Sequence, residues 1–211
     1  MTCDFFKASR GRPKTFDRDH VLDVAMRTYW QNGVDTVSVN EICKKAQVSK
    51  PGLYREFNNE EGLMIAALSC YEEKVLKPMF EMLTLDKPFQ ETLNHIADFT
   101  TMQDDTRKPS SGCLLVKMRQ SRMHLASGAQ EKIDDIQAWV LMAYREWIER
   151  SKEKGEFKSS MSSTLAASYI DTQIHSALAQ LAKGETDTTL KGSWLYLSLY
   201  SSNNTRPDKS L

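Results

Sequence analysis

The chain has 211 residues, with 28 basic and 28 acidic side chains, and 40% of its residues are hydrophobic. A chain of this length can bury enough surface for one domain or two small ones, so disorder is not expected. No apolar run approaches the ~18 residues that a membrane span needs, and the first residues lack the apolar stretch of a signal peptide. We therefore expect no membrane partner and a soluble protein of the cytoplasm.

Cysteine spacing and charge distribution narrow the class further. The four cysteines are widely separated and form no C-x-x-C pair, which disfavours a disulfide framework and a structural zinc site. The balanced total charge disfavours a nucleic-acid partner, but the basic residues of the first segment stand together without an intervening acid: Lys7, Arg10, Arg12 and Lys14. Any contact with DNA is therefore expected from the N-terminal end.

The pattern of apolar residues predicts an all-α chain. From about residue 17 onward apolar residues recur at helical spacing, and no segment shows the alternation of a β-strand. The first helix is predicted to begin after Asp17 as N-cap and to end at Gly33. Its apolar face consists of Val21, Leu22, Ala25, Met26 and Tyr29.

Two short helices are predicted next, separated by a turn of a few residues. Ser38 and Glu41 have the spacing of a capping box, in which each side chain bonds one free backbone donor. Ser49 is the predicted cap of the second short helix, and Pro51 falls in its first turn, where a missing N–H costs little. Two short helices after a longer amphipathic helix are typical of a helix-turn-helix, whose second helix enters the DNA major groove.

The second short helix carries side chains suited to DNA. Ser49 and the N-terminal N–H groups can bind a phosphate, and Lys50 can reach a phosphate or a guanine edge. Tyr54 and Arg55 add a hydroxyl and a guanidinium on the same side. Leu53 and Phe57 are four residues apart, and this spacing predicts that the opposite face of the helix is buried.

The rest of the chain is predicted as longer helices. They cover about residues 60–83, with a kink or an early end at Pro78, then 88–105, 113–123, 130–154, 162–183 and 188–201. Residues 106–112 are turn-rich and predict a loop, and Gly155 is predicted to close the helix before it.

The segment SVNEICKKAQVSKPGLYREF, residues 38–57, resembles the signature of the tetracycline-repressor-like (TetR) family. The specific match covers about residues 16–63. The resemblance implies a homodimeric repressor of a double-stranded DNA operator, released by a small-molecule inducer. It also implies a three-helix DNA-binding domain, 16–62, a helical ligand-binding and dimerisation domain, 63–202, a basic arm, 1–15, and a flexible tail, 203–211. The DNA-binding residues are then Arg10, Arg12, Lys14, Ser38, Ser49, Lys50, Pro51, Gly52, Tyr54 and Arg55.

Two residues depart from the family pattern. Gln47 stands where the family usually has glycine, so this residue is predicted to adopt a positive φ, or the turn to differ slightly. Glu60 stands where the family often has a lysine directed at a phosphate. We assign no phosphate contact to Glu60 and expect it at the N-terminus of the next helix, where a carboxylate favours the dipole.

The basic arm has two interpretations. Glycine and proline keep Arg10-Gly11-Arg12-Pro13-Lys14 extended and slim, so its arginines can enter a narrow A·T-rich minor groove. The alternative is a solvated tail.

An inducer cavity is expected among the helices between about residues 60 and 154. The apolar and aromatic residues there predict a hydrophobic or aromatic molecule held by a few polar groups, or else simple core packing. The candidate lining residues are Phe99, Cys113, Met118, Trp139 and Tyr144.

Cys113 has a second interpretation. Gly112-Cys113 resembles a pair that begins the sixth helix of some family members, a few of which sense oxidants or electrophiles through that cysteine. A helix N-terminus and the nearby Arg107, Lys108 and Lys117 are expected to lower the thiol pKa. The alternative is a small buried residue at a helix start.

The two C-terminal helices are predicted to form the dimer interface, because they carry more apolar surface than a monomer exposes. The residues assigned to it are Leu165, Tyr169, Ile170, Ile174, Ala177, Leu181, Trp194 and Leu197.

No metal site, cofactor or catalytic centre is predicted. The histidines are isolated, and no P-loop, nucleophile elbow or zinc-protease motif occurs. The alternatives to a DNA-binding regulator are an all-α enzyme and an adaptor that binds only protein.

Overall fold

The computed structural model describes residues 16–101 and 112–182, and the side chains of residues 16–98 and 112–180. Within these ranges there is no strand, and none of the helices is long and apolar enough to cross a membrane. The all-α prediction is thus confirmed. The helices are α1 Arg18–Asn32, α2 Val39–Ala46, α3 Lys50–Phe57, α4 Glu60–Tyr71, α5 Lys77–Glu81, α6 Phe89–Thr101, α7 Leu114–Gln120, α8 Ser127–Glu153 and α9 Ser163–Ala182.

Several predictions fall outside the described residues. These are the basic arm, the loop at 106–111, the last helix at 188–201 and the tail. Six candidate residues lie there or have side chains that are not described: Arg10, Arg12 and Lys14 of the arm, Phe99 of the cavity, and Trp194 and Leu197 of the dimer interface. The side chain of Leu181 is likewise not described.

The first helices begin and end where local signals predict. Asp17 caps α1 by accepting the His20 N–H (3.0 Å), and Gly33 ends it at φ +83°. Ser38 caps α2 by accepting the Glu41 N–H (3.2 Å). The capping box is only half formed, because the Glu41 carboxylate binds the Lys45 ammonium (2.7 Å) instead of a backbone donor.

α1 packs along α4, and α2 and α3 close the same core. The whole predicted apolar face of α1 is buried, together with Ile42 of α2 and Leu53 and Phe57 of α3. This core carries the short helices α2 and α3, which are too short to be stable alone.

The region predicted as one helix over 60–83 is interrupted. α4 ends at Tyr71, and a π-helical turn, Glu72–Leu76, leads into α5, followed by a 3₁₀ turn, Met82–Thr84. In a regular helix the Pro78 ring would press on the carbonyl of Lys74, so the irregular turn lies where the proline makes α-helical geometry most costly.

The C-terminal helices build a second core around α8. α8 packs against α4, α7 and α9, and Gly155 at φ +72° ends it as predicted. The apolar stripe of α9 faces inward: Ile170, Ile174 and Ala177 are buried within the monomer. These three side chains pack within one subunit, and the dimer interface assigned to this helix stays a prediction, because an apolar stripe shows that a face is buried but not which surface covers it.

Candidate nucleic-acid interface

α3 is an amphipathic helix with one face fixed on the core. Leu53 and Phe57 are buried, and Phe57 packs against the Phe16 ring, 6.2 Å between centroids. Arg18 of α1 lies over the Phe57 ring and binds Glu56 (2.9 Å). Between these anchors, Arg55 and Glu56 are exposed on a helix that the core supports.

The turn between α2 and α3 is tight. Gln47 adopts φ 56°, ψ 40°, the left-handed conformation predicted for a residue in the place of a glycine. The Val48 N–H then donates to the Cys43 carbonyl (3.0 Å), which ends α2 and turns the chain into α3.

The N-terminus of α3 carries small side chains and is accessible to solvent. The Ser49 hydroxyl accepts the Gly52 N–H (3.2 Å) and keeps its own proton for an external acceptor. Pro51 follows in the first turn and is exposed. A Cβ at Gly52 would lie 3.1 Å from the Ser49 oxygen and 3.7 Å from the Phe16 ring, so glycine leaves this corner open. A phosphate oxygen fits such a helix start.

The outward face of α2 and α3 carries excess positive charge. Lys44, Lys50 and Arg55 are exposed, and none has a carboxylate partner within the described residues. Lys50 lies over the Tyr54 ring, 5.3 Å from its centroid. The acids of the segment are already paired, Glu41 with Lys45 and Glu56 with Arg18.

The surroundings of Tyr54 differ from the prediction of a hydroxyl on the exposed side, because Tyr54 is half-buried and donates its hydroxyl to Glu60 (3.2 Å). Ser38 is exposed, and its oxygen caps α2 as predicted. Glu60 does lie in the first turn of α4, as expected, beside the cap Asn59, which accepts the Gly62 N–H (2.7 Å).

A cleft of about 300 Å³ lies beside the α2–α3 turn. His20 at the start of α1 lines it together with Ser49 and Arg55 of the α3 region. In the sequence His20 is an isolated histidine. Its position three residues after the N-cap Asp17 is the local signal that puts it in the exposed first turn of α1.

The inducer candidates lie in the second core. Met118 and Tyr144 are buried, and Trp139 is half-buried. Phe80 joins the two aromatic residues, with ring centroids 4.9 Å from Trp139 and 5.0 Å from Tyr144. Phe80 is absent from the sequence-based set, because it lies on the short α5, which no periodic pattern marks.

The surroundings of Cys113 differ from the prediction. Cys113 is the N-cap of α7, and Tyr71 donates its hydroxyl to the Cys113 sulfur (3.3 Å). Burial raises the pKa of the Cys113 thiol, although hydrogen bonds from Tyr71 and from two α7 N–H groups oppose this. Lys117 donates to backbone carbonyls of α1 instead. The predicted lowering of the thiol pKa is therefore wrong.

A polar network, Arg119, Gln137, Asp171 and His175, joins α7, α8 and α9. Arg119 donates to Gln137 (2.7 Å) and to His175 (2.7 Å), and Gln137 donates to the buried Asp171 (2.8 Å). Burial lowers the pKa of His175, and the Arg119 charge adds to this, although Asp171 opposes it. This network is not predicted from the sequence, where the i, i+4 spacing of Asp171 and His175 on a helix is its only local signal. Within the described ranges, no three His, Cys, Asp or Glu side chains are grouped to hold a metal.

Comparisons with known proteins agree with this arrangement. The family "Bacterial regulatory proteins, tetR family" matches residues 21–67. The HTH-type transcriptional repressor ComR of Escherichia coli K12 is 46% identical over 68 residues, 32% of each chain. The HTH-type transcriptional repressor BdcR of the same organism is 26% identical over 107 residues, 51% of this chain and 54% of BdcR. The matches span about a third to a half of these relatives.

Solved structures match over the greater part of the chain. Reduced E. coli NemR superposes with a TM-score of 0.78 at 17% identity, covering 90% of this chain and 99% of NemR. A cysteine mutant of the TetR family regulator CifR, complexed with a 26-bp operator duplex, superposes with a TM-score of 0.69 at 20% identity, covering 90% and 97%. The fold thus agrees beyond the segment that the family signature covers. Residues 21–67 are thus similar to the tetR family of bacterial regulatory proteins, and the fold matches solved TetR-like structures over most of the chain.

Proposed function

We propose that this protein is a DNA-binding transcriptional repressor. The observation that carries the proposal is the outward face of the helix-turn-helix, where Lys44, Lys50 and Arg55 have no carboxylate partner among the described residues. Exposed cations on a fixed helix attract phosphates and reach base edges in the major groove. The names of ComR and BdcR, and the operator complex of CifR, support DNA as the partner. They favour a regulator over an enzyme or an adaptor.

The repressor is proposed to act as a homodimer on a near-palindromic operator. One short recognition helix supplies few base contacts, and a two-fold pair places its helices about 34 Å apart or a multiple of this. The exposed side of α8 and α9 is the surface proposed for the second copy. Met142 is 47% exposed and lines a groove of about 320 Å³ between the two helices, and Leu165 of α9 is 58% exposed. Its lining residues are Ala138, Leu141, Met142, Arg145, Thr164 and Ser168.

A small molecule bound in the second core is proposed to release the operator. The cluster of Phe80, Trp139 and Tyr144 suits an apolar or aromatic molecule. Burial raises the pKa of Tyr144, and the charge of Asp171 raises it further. The polar network therefore lies within electrostatic reach of this cluster. An inducer must bind one of two states more tightly, since equal binding shifts nothing.

The test is a selection of genomic fragments by the purified chain. Fragments retained over several rounds should share a near-palindromic sequence, and affinity for one of them should exceed that for a shuffled duplex by about 10³-fold or more. The affinity should also fall steeply with salt, because phosphate neutralisation releases counterions. Equal affinity for selected and shuffled duplexes would overturn the proposal.

A further inference from the structure

A lysine of the C-terminal helices caps the end of α1. Lys117 of α7 donates to the carbonyls of Trp30 (2.6 Å) and Gln31 (3.2 Å), in the last turn of α1. These carbonyls have no partner within the helix, and the C-terminal end of the helix dipole favours a cation. Lys117 is half-buried, so the contact is partly removed from water, and this burial lowers the pKa of its ammonium group.

Two more contacts join the same two segments directly, and Tyr71 of α4 bridges them. The Trp30 indole N–H donates to the Gly112 carbonyl (2.8 Å), directly before α7. The Trp30 ring packs edge-on against Tyr71, whose hydroxyl bonds Cys113. After α7, the Ser121 hydroxyl donates to Asp35, in the turn that follows α1. Residues 112–121 therefore contact the end of α1 at both ends of this segment and at Lys117 between them.

The carboxylate of Glu61 caps the N-terminal end of α8, as the Lys117 ammonium caps the C-terminal end of α1. Glu61 lies in the first turn of α4, directly after the recognition helix α3, and accepts the Ala129 N–H (3.1 Å) at the start of α8. The N-cap of α8 is Ala126, whose side chain cannot bond a backbone donor. A Cβ at Gly128 would lie 2.8 Å from the Glu61 oxygen, so a glycine leaves room for the carboxylate. The negative charge again suits the helix end that it meets.

We propose that Lys117 and Glu61 are positioning residues, which fix α1–α3 on the C-terminal helices and thereby set operator affinity without touching DNA. This inference rests on the proposed function. The Lys117 cap joins α7 to α1, and the Glu61 cap joins α8 to the first turn of α4, which directly follows α3. With both in place, the two recognition helices of a dimer keep one separation. Without them, part of the binding free energy is spent on ordering the helices.

The test compares operator affinity among folded full-length variants. Lys117→Met removes the donor and its charge at similar length, Lys117→Arg keeps both, and Glu61→Ala removes the acceptor at α8. Lys77→Met and Glu81→Ala are the matched controls, since both residues lie on α5, away from either cap. The duplex is a fragment selected as described above, and a shuffled duplex measures non-specific affinity.

Operator affinity should fall about 3- to 30-fold in Lys117→Met and in Glu61→Ala, with non-specific affinity unchanged. Lys117→Arg should restore most of the loss, and the α5 controls should match the wild type. If the variants lose only thermal stability and bind the operator as the wild type does, the caps are merely structural and the inference is overturned.

Two further outcomes are separable. If Lys117→Met does not fold, Trp30→Phe removes the indole donor to Gly112, keeps a smaller aromatic ring beside Tyr71 and should show a smaller loss of operator affinity; wild-type affinity there would overturn the inference. A wild-type chain that prefers no fragment overturns the proposed function, and this inference with it.

Discussion

The DNA-binding helices and the C-terminal helices use their charged side chains in opposite ways. On α3, Lys50 and Arg55 face outward and have no carboxylate partner within the described residues. Between α7 and α9, Arg119 and the buried Asp171 share a network with His175. A buried charge is stable only when it is paired, whereas an exposed cation remains hydrated and available. The unpaired charges therefore indicate the surface that binds a polyanion. The paired charges hold the C-terminal helices together.

The sharpest way to break this comparison is to put a charge into the apolar stripe of α9. Ile174→Asp should lower the free energy of unfolding by about 3–5 kcal/mol, because an unpaired carboxylate would lie in the core. Leu165→Asp, at an exposed position of the same helix, should change it by about 0.5 kcal/mol or less while weakening the dimer. Denaturant unfolding and sedimentation measure the two effects. A stable, monomeric Ile174→Asp protein would restore the interface predicted from sequence.

The junction between α3 and α4 gives the next largest effect. Alanine normally stabilises a helix over glycine by about 1 kcal/mol. At Gly62, however, a Cβ would lie 1.9 Å from the Phe57 carbonyl oxygen, a backbone atom that cannot move aside alone. Gly62→Ala should therefore lower the free energy of unfolding by about 1–3 kcal/mol, whereas Ser69→Ala later in α4 should not. A thermal melt showing a more stable Gly62→Ala protein would contradict the close approach.

Ser49 allows capping and phosphate binding to be separated. Ser49→Ala removes the acceptor of the Gly52 N–H and should lower the free energy of unfolding by about 1 kcal/mol. Ser49→Asp keeps a good cap, so stability should be retained, but its charge would repel a phosphate. Thermal melts together with operator titrations check both halves. Full operator affinity in Ser49→Asp would remove the phosphate from this helix start.

The smallest expected effect is a dependence of the free energy of unfolding on pH, which arises from His175 in the network between α7, α8 and α9. The pKa of His175 is lowered in the folded protein, so below its ordinary value of 6.5 the unfolded chain binds more protons than the folded one. The free energy of unfolding should therefore decrease as pH falls below this value. His175→Gln should flatten that decrease, while Asp171 and Arg119 continue to face the same site. Denaturant unfolding at a series of pH values measures it, and an identical profile in both proteins would exclude His175.

Local features were predictable, and their partners across the fold were not. Asp17, Ser38 and Ser49 cap helices as predicted, since capping involves residues three apart in the chain. The left-handed Gln47 follows equally from its place in a short turn. The helical spacing places the hydroxyl of Tyr54 on the exposed side, but it does not predict the hydrogen bond to Glu60 across a helix junction.

The C-terminal half shows the same limit more strongly. The apolar spacing of α9 predicts a buried face, but both its own core and a second subunit can cover such a face. The contacts of Arg119 with His175 and of Lys117 with Trp30 join residues 56 and 87 positions apart. No pattern within one helix predicts pairings over such separations.

The exposed cations of α3 allow the most direct test of whether α3 is the recognition helix. The measurement is the affinity for a selected operator fragment as a function of salt, for the wild type, Lys50→Ala, Arg55→Ala and the control Lys77→Ala. Each α3 variant should lose about 1–3 kcal/mol of binding free energy if its side chain reads a base, or show a salt slope lower by about 1 if it neutralises a phosphate. The control should match the wild type. Unchanged affinity and slope in both α3 variants would contradict the role of α3 as the recognition helix.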